Sequence, residues 1–229
     1  MRTVRKNYII SFLIVLVSCG GGGGTDTNKP AINTNTTTTT TTSNNSQVCS
    51  ESGGVVPSVS QQVGWQHYAS DQFSSRYIPT NKLTNDNFSS LNIAWRWCSP
   101  VNNLSDSFSI GENKVTPVMI DGVLYATTQL NQVVAINAIN GESIWTFDPK
   151  SYEAGDPPNH GFIHRGLSYF SNGEQKSILV GTLDSYLYSL DAETGEEDLN
   201  FSGGRINLRE GLGRSINNNY YGVDRKSVV

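Results

Sequence analysis

The sequence has few charged residues and few cysteines, and no long apolar run follows its first eighteen positions. Charged residues make up 16% and the formal net charge is −4, without any long run of lysine and arginine, so a nucleic-acid-binding surface is not expected. The 22 glycines and the many aromatic residues exclude a coiled coil or an ordinary helical bundle. This composition predicts an all-β protein with many turns.

The N-terminus has the pattern of an export signal, which we place at residues 1–18. Basic residues precede an apolar run over 8–17, and that run is too short to span about 30 Å of hydrocarbon. The junction Ser18-Cys19 resembles a bacterial lipobox. We therefore predict that Cys19 is lipidated and anchors the protein on the periplasmic side of the bacterial cell envelope. The alternative is an ordinary secretory signal followed by a chance cysteine.

Residues 19–47 form the next segment, a tract of glycine, threonine and asparagine that includes seven consecutive threonines, 36–42. It has almost nothing to bury, so ordering it would cost entropy without return. We interpret it as a flexible tether between the lipid anchor and a folded domain over 48–223.

The remaining two cysteines, Cys49 and Cys98, are an even pair in a chain that is predicted to reach an oxidising compartment. A disulfide between them is one interpretation. Two unrelated buried thiols are the other.

An internal repeat sets the predicted fold. The stretch 124–142 aligns without a gap on 178–196, an offset of 54 residues, and Asn137, Ala138 and Gly141 fall on Asp191, Ala192 and Gly195. Each copy is expected to contain a strand, a tight turn, a second strand, and a glycine-containing turn into a third strand. In the first copy these strands are 123–127, 133–136 and 142–147.

The turn and aromatic residues of the repeat have physical roles. Asn137 and Asp191 are expected to bind backbone N–H groups two residues further on, and Gly141 and Gly195 to supply positive φ angles. Trp145 is predicted to be a flat plug between stacked sheets, and Trp95 the closing aromatic of an earlier strand. Short strands with a period near 50 residues indicate β-propeller blades rather than a sandwich.

Four segments in chain order resemble the motifs of one family, the pyrroloquinoline-quinone (PQQ) dependent quinoprotein dehydrogenases, which oxidise alcohols or sugars. The segments are Trp65–Asp71 with Arg76–Pro79, Leu91–Trp95, Thr116–Tyr125 and His164–Tyr169. The resemblance implies a partial β-propeller, about the first three blades of an eight-bladed ring, with PQQ bound over the central channel.

The resemblance also implies that Arg165 binds the cofactor, because the matching family arginine pairs with the anionic PQQ ring. A guanidinium offers the bidentate donors that suit a carboxylate-bearing ligand. His160 and His164 flank this arginine and are predicted to bind the cofactor or to orient Arg165, with a surface or turn role as the alternative. No catalytic residue and no metal ligand is predicted in this chain, since the family's aspartate base and its divalent-cation ligands, with calcium the expected ion, lie in later blades.

The chain departs from the family pattern at three places. Lys114 stands where the family often has a glutamate near the cofactor, and Asn159 and His160 stand where some members have a vicinal cysteine pair. Residues 224–229 do not resemble the family and match the translation of a common sequencing adapter. We therefore interpret the chain as an N-terminal fragment with an artificial tail at 224–229, inactive by itself.

Two functions follow as hypotheses. In the first, the parent protein is a membrane-tethered periplasmic dehydrogenase that oxidises a small alcohol or sugar hydroxyl with PQQ and passes electrons to a quinone or cytochrome. In the second, it is a non-enzymatic lipoprotein that resembles the propeller scaffold of outer-membrane barrel assembly and binds peptides by strand addition.

Overall fold

The computed structural model describes residues 64–78, 82–104, 107–157 and 161–216. The predicted signal, tether and tail lie outside these ranges, as do Cys19, Cys49 and His160. Within them the helical structure consists of short 3-10 turns: Phe88–Ser90, Pro100–Asn103, Ser151–Ala154 and Ser202–Gly204. None of the helices in these ranges is long and apolar enough to span a bilayer.

In the described part of the chain, eight strands form two antiparallel sheets of four strands each, hydrogen-bonded in chain order. Sheet one contains β1 (Val118–Ile120), β2 (Val123–Thr127), β3 (Val133–Asn137) and β4 (Ser143–Phe147). Sheet two contains β5 (Ser168–Ser171), β6 (Lys176–Gly181), β7 (Tyr186–Asp191) and β8 (Arg205–Asn207). The all-β prediction is confirmed, and each sheet has the meander topology of a propeller blade.

The two sheets repeat each other in the register that the sequence predicts. In the β2–β3 turn Thr128 N–H donates to the Gln132 carbonyl at 2.8 Å, and in the β6–β7 turn Thr182 N–H donates to Tyr186 at 2.8 Å. Gly141 and Gly195 have φ angles of 79° and 76°. Asn137 Oδ1 accepts from Ile139 N–H and Asp191 Oδ1 from Glu193 N–H, both at 2.9 Å. The predicted roles of these turn residues are therefore confirmed.

The strand count and one strand position differ from the prediction. Each copy was expected to have three strands and has four, because a further strand, β1 or β5, precedes the predicted ones. In the second copy the last strand is not at 196–201 but at β8. The chain turns at Asp198, whose N–H donates to Ser189 and whose Oδ1 accepts from Asn200, so strand pairing resumes only at Arg205.

The two sheets pack face to face around Trp145, which confirms its predicted role as a plug. Its indole N–H donates to the Ala192 carbonyl at 3.1 Å, and a methyl group added to Gly195 would lie 2.5 Å from the ring. The Tyr125 hydroxyl donates to the same carbonyl at 3.0 Å. The glycine is thus required for the close approach of the indole as well as for its φ angle.

Trp95 makes the same contact on the opposite face of sheet one. Its indole N–H donates to Ala138 at 3.2 Å, and a methyl group on Gly141 would lie 2.6 Å from its ring. Residues 93–97 therefore cover sheet one as β4 covers sheet two. The interpretation of Trp95 as the closing aromatic of an earlier blade agrees with this geometry.

Candidate functional site

The two predicted cofactor residues within the described ranges, His164 and Arg165, lie at one end of the two sheets, which we call the site end. It carries the β2–β3 turn (128–132) and the β6–β7 turn (182–185). The antiparallel pairing places the end of β4 there, because Phe147 pairs with Val133, and also the start of β5, because Ser168 pairs with Leu179. The connection 148–167 between the sheets therefore leaves and returns at the site end.

Apolar anchors fix the returning part of this connection. Phe162 is 1% exposed and packs with Val101, Leu130 and Tyr152, and its carbonyl accepts from Gly111 N–H at 3.1 Å. Leu167 is also 1% exposed and belongs to the core between the sheets. The segment between these anchors, including Arg165, is thus held against the site end.

His164 lies inside this segment and is 4% exposed. Its Nδ1 is 2.7 Å from Thr127 Oγ1 at the end of β2, and its Nε2 is 2.8 Å from the Gly181 carbonyl at the end of β6. Nδ1 also accepts from Gly166 N–H at 3.2 Å. Both ring nitrogens are engaged by the protein itself, which favours the prediction that His164 orients its neighbour over the prediction that it binds the cofactor.

Arg165 is half-buried between His164 and Gly166 at the site end. Gly166 has a φ of 125°, a conformation that a residue with a side chain rarely adopts, so the backbone after Arg165 depends on glycine. His160 was predicted to act beside Arg165 and lies outside the described residues. Its role stays a prediction.

Asn131 is a residue at this end that the sequence analysis did not select. It is fully buried at a φ of 67°, and its Oδ1 accepts from Ser151 Oγ at 2.8 Å and from Leu183 N–H at 2.9 Å. Within the described part of the chain its Nδ2 has no hydrogen-bond acceptor. A buried amide donor without a partner is costly to the folded state.

A buried phenol and a half-buried carboxylate adjoin the site end. The Tyr152 hydroxyl donates to Asp148 Oδ2 at 3.0 Å, and Gln132 Nε2 donates to the same oxygen at 3.0 Å. Burial, with the hydrogen bond to Asp148 second, raises the pKa of Tyr152 to about 12. Tyr152 is therefore a neutral hydrogen-bond donor at any physiological pH.

The family departure at Lys114 is visible as an exposed ion pair, because its Nζ lies 3.0 Å from Glu112 Oε2. Across the described ranges, no three His, Cys, Asp or Glu side chains come together as metal ligands. Cys98 forms a disulfide whose partner lies outside those ranges, so the pairing with Cys49 stays a prediction.

The repeat relates the two partners of His164 to each other, although it does not select His164 itself. Thr127 and Gly181 occupy equivalent positions of the 54-residue repeat, so any side chain that reaches both must bridge the two copies at the same level. Asn131 and Ser185 also occupy equivalent positions of the repeat, and both have positive φ angles in their turns. The buried donor of Asn131 was not detectable from sequence.

Comparison with known proteins gives one family. The model of the glucose/ethanol/alcohol dehydrogenase β-propeller domain, the PQQ family, matches residues 65–229. The four segments that carried the resemblance fall inside this match.

Individual relatives agree with the family model. The chain is 30% identical over 135 residues to the dehydrogenase subunit of a quinone-linked alcohol dehydrogenase of Gluconobacter oxydans. The alignment covers 58% of this chain and 16% of that protein. It is 29% identical over 133 residues to a cytochrome c-linked 1-butanol dehydrogenase of Thauera butanivorans. That alignment covers 58% of this chain and 18% of the relative. The chain thus spans less than a fifth of the length of these two relatives.

Among solved structures, a quinohemoprotein alcohol dehydrogenase of Pseudomonas putida superposes with a TM-score of 0.53 at 24% identity, over 71% of this chain and 21% of the other. This likeness concerns the fold. Together with the family model it shows that the two sheets are part of a β-propeller.

Proposed function

The chain belongs to the glucose/ethanol/alcohol dehydrogenase β-propeller family, and from this premise we propose that it is part of a quinoprotein dehydrogenase that oxidises an alcohol or sugar hydroxyl with PQQ. The observation that carries the proposal is the half-buried Arg165, held by two buried anchors at the site end. Because the chain spans 16–22% of its relatives, the whole activity is proposed for a longer protein.

The donors at the site end fit PQQ, which carries three carboxylates and an ortho-quinone. The Arg165 guanidinium supplies paired N–H donors to such a ligand. When bound, PQQ supplies an acceptor for the two electrons of the alcohol. Arg165 would hold the anionic ring and its charge would favour negative charge on the quinone oxygens.

Other parts of the machinery are proposed to lie outside this chain. The aspartate base and the ligands of a divalent cation, expected to be calcium, would come from later blades. A quinone or a cytochrome would accept the electrons, in line with the names of the quinone-linked and cytochrome c-linked relatives.

We further propose that the protein is anchored through Cys19 on the periplasmic side of the envelope. The disulfide at Cys98 supports an oxidising compartment. In cells that express the complete gene, Cys19→Ser should move the protein from the membrane fraction to the soluble fraction. If the variant stays in the membrane fraction, the lipid anchor is wrong.

The dehydrogenase proposal is tested with the product of the complete gene, PQQ and calcium, by following dye reduction with a panel of alcohols and aldoses. Arg165→Lys keeps the charge but loses the fork of donors, so PQQ affinity should fall about tenfold or more. Arg76→Lys is the matched control, because Arg76 is exposed and its backbone N–H binds Ala69.

The opposing outcome is equally specific. If the complete protein shows no PQQ absorbance change and no dye reduction with any substrate, the dehydrogenase proposal fails and the peptide-binding scaffold becomes the better hypothesis. If PQQ binds but Arg165→Lys and Arg76→Lys behave alike, the family assignment stands and the role given to Arg165 is wrong.

A further inference from the structure

The hydrogen bonds of His164 determine which of its nitrogens carries a proton. The Gly181 carbonyl only accepts, so Nε2, 2.8 Å away, must donate to it. Gly166 N–H only donates, so Nδ1 must accept from it. The Thr127 hydroxyl adapts to either role and here donates to Nδ1 at 2.7 Å. The ring is therefore a neutral imidazole with its proton on Nε2.

We infer that His164, as the Nε2–H tautomer, is a positioning residue that clamps the two blades together and fixes the backbone of Arg165. The inference concerns a contact within this chain. Only its consequence for PQQ rests on the proposed function.

The clamp joins equivalent points of the two blades. Thr127 ends β2 in sheet one and Gly181 ends β6 in sheet two, and the repeat places them 54 residues apart at the same position. His164 is 4% exposed between them, so water competes little for these bonds. The His164 side chain thereby links the two sheets at the site end, beside the bond from Leu183 N–H to Asn131 Oδ1 that joins their turns.

The same ring also binds the backbone next to Arg165. His164 precedes Arg165 in the chain, and the Gly166 N–H that follows it returns to Nδ1 of the His164 ring. The backbone on both sides of Arg165 is thus fixed by one side chain, which is itself fixed to both sheets. An imidazolium would place a donor on Nδ1 against the Gly166 donor, so the arrangement requires the neutral ring.

The tautomer is directly measurable, because the chain contains only three histidines. In the full 229-residue chain labelled with ¹⁵N-histidine, long-range ¹H–¹⁵N spectra resolve each imidazole, and His164→Gln assigns the signal. We expect a protonated Nε2 and an unprotonated Nδ1 for His164 at neutral pH. A proton on Nδ1, alone or with one on Nε2, would overturn the inference.

The positioning role is measured in the complete gene product by PQQ affinity and thermal unfolding together. His164→Gln retains a donor for Gly181 but has no acceptor at the place of Nδ1, so PQQ should bind about tenfold more weakly. Tyr125→Phe is the control, since it removes another hydrogen bond between the blades, to Ala192, away from the site end. It should lower stability and leave PQQ affinity within about twofold.

The outcomes distinguish a failure of the positioning role of His164 from a failure of PQQ binding. If His164→Gln and Tyr125→Phe lower stability alike and neither changes PQQ affinity, His164 is a structural residue and its positioning role is wrong. If the unaltered protein does not bind PQQ, the proposed function fails, while the tautomer spectrum still decides whether the clamp exists.

Discussion

The two sheets carry the same repeat but are buried to different extents. Every residue of β2 and β3 in sheet one is buried, whereas β5 in sheet two is mostly exposed and Phe170 on it is 52% exposed. The difference follows from what covers them. Residues 93–97 and sheet two pack on the two faces of sheet one, whereas the described core contacts of sheet two are with sheet one.

This comparison shows that a blade of this kind takes its stability from its neighbours. Within a repeat architecture the free energy of folding is a sum of terms within each unit and terms between adjacent units. Sheet one has two sets of contacts between units, each centred on a tryptophan and a glycine. Changes at those two contacts should therefore have unequal effects.

The largest expected effect is that of Trp145→Ala. Removing a buried tryptophan typically costs about 3–5 kcal/mol, and here it also removes the hydrogen bond to Ala192. Trp95→Ala should cost less, because Trp95 is half-buried where Trp145 is 7% exposed. Urea unfolding of both variants, followed by circular dichroism, makes the comparison. An equal or larger loss for Trp95→Ala would show that the contact between the two sheets is not the stronger one.

Gly195→Ala disrupts the same contact between Trp145 and Gly195 by changing the glycine. The added methyl group would lie 2.5 Å from the Trp145 ring, and the alanine would have to keep a φ of 76°. Overpacking and backbone strain together should therefore cost about 2–5 kcal/mol. Gly173→Ala is the matched control, because Gly173 has a φ of 97° and nothing within 4 Å of the added carbon. It should show the strain alone, about 1–2 kcal/mol. Equal losses in urea unfolding would mean that the indole contact contributes nothing.

Much of this fold was predictable from the sequence, because the repeat and its turn residues are local signals. The gapless offset of 54 residues fixed β2, β3 and β4, and it also identified the glycines on which the tryptophans pack. The displaced β8 was not predicted, since the turn after Asp198 uses a hydrogen bond from Asn200 N–H to the Asp198 carboxylate, and the aligned residue of the first copy, Ile144, has no side-chain acceptor.

The site was predictable only in part. The resemblance placed His164 and Arg165 in one segment, but composition and spacing do not reveal that His164 is buried or that its partners are Thr127 and Gly181. Those contacts depend on how two sheets are stacked. The buried donor of Asn131 is likewise a property of packing and has no signature in the sequence.

The smallest expected effect is that of Tyr125→Phe. It removes the hydroxyl donor to Ala192, whose carbonyl keeps the bond from Trp145, so the loss should be about 0.5–1.5 kcal/mol at neutral pH. Its stronger signature is at alkaline pH. Burial raises the pKa of Tyr125 far above its usual value, so above about pH 10 the unfolded state loses this proton before the folded state does, and stability falls as pH rises.

Tyr125→Phe should therefore lose less stability between about pH 9 and 11 than the unaltered chain does, as measured by urea midpoints across that range. The fall should not vanish, because burial also raises the pKa values of Tyr152 and Tyr188. If both proteins lose stability at the same rate with pH, the Tyr125 hydroxyl is not buried between the sheets. The packing of sheet one against sheet two would then be looser than the contacts of Trp145 and Gly195 require.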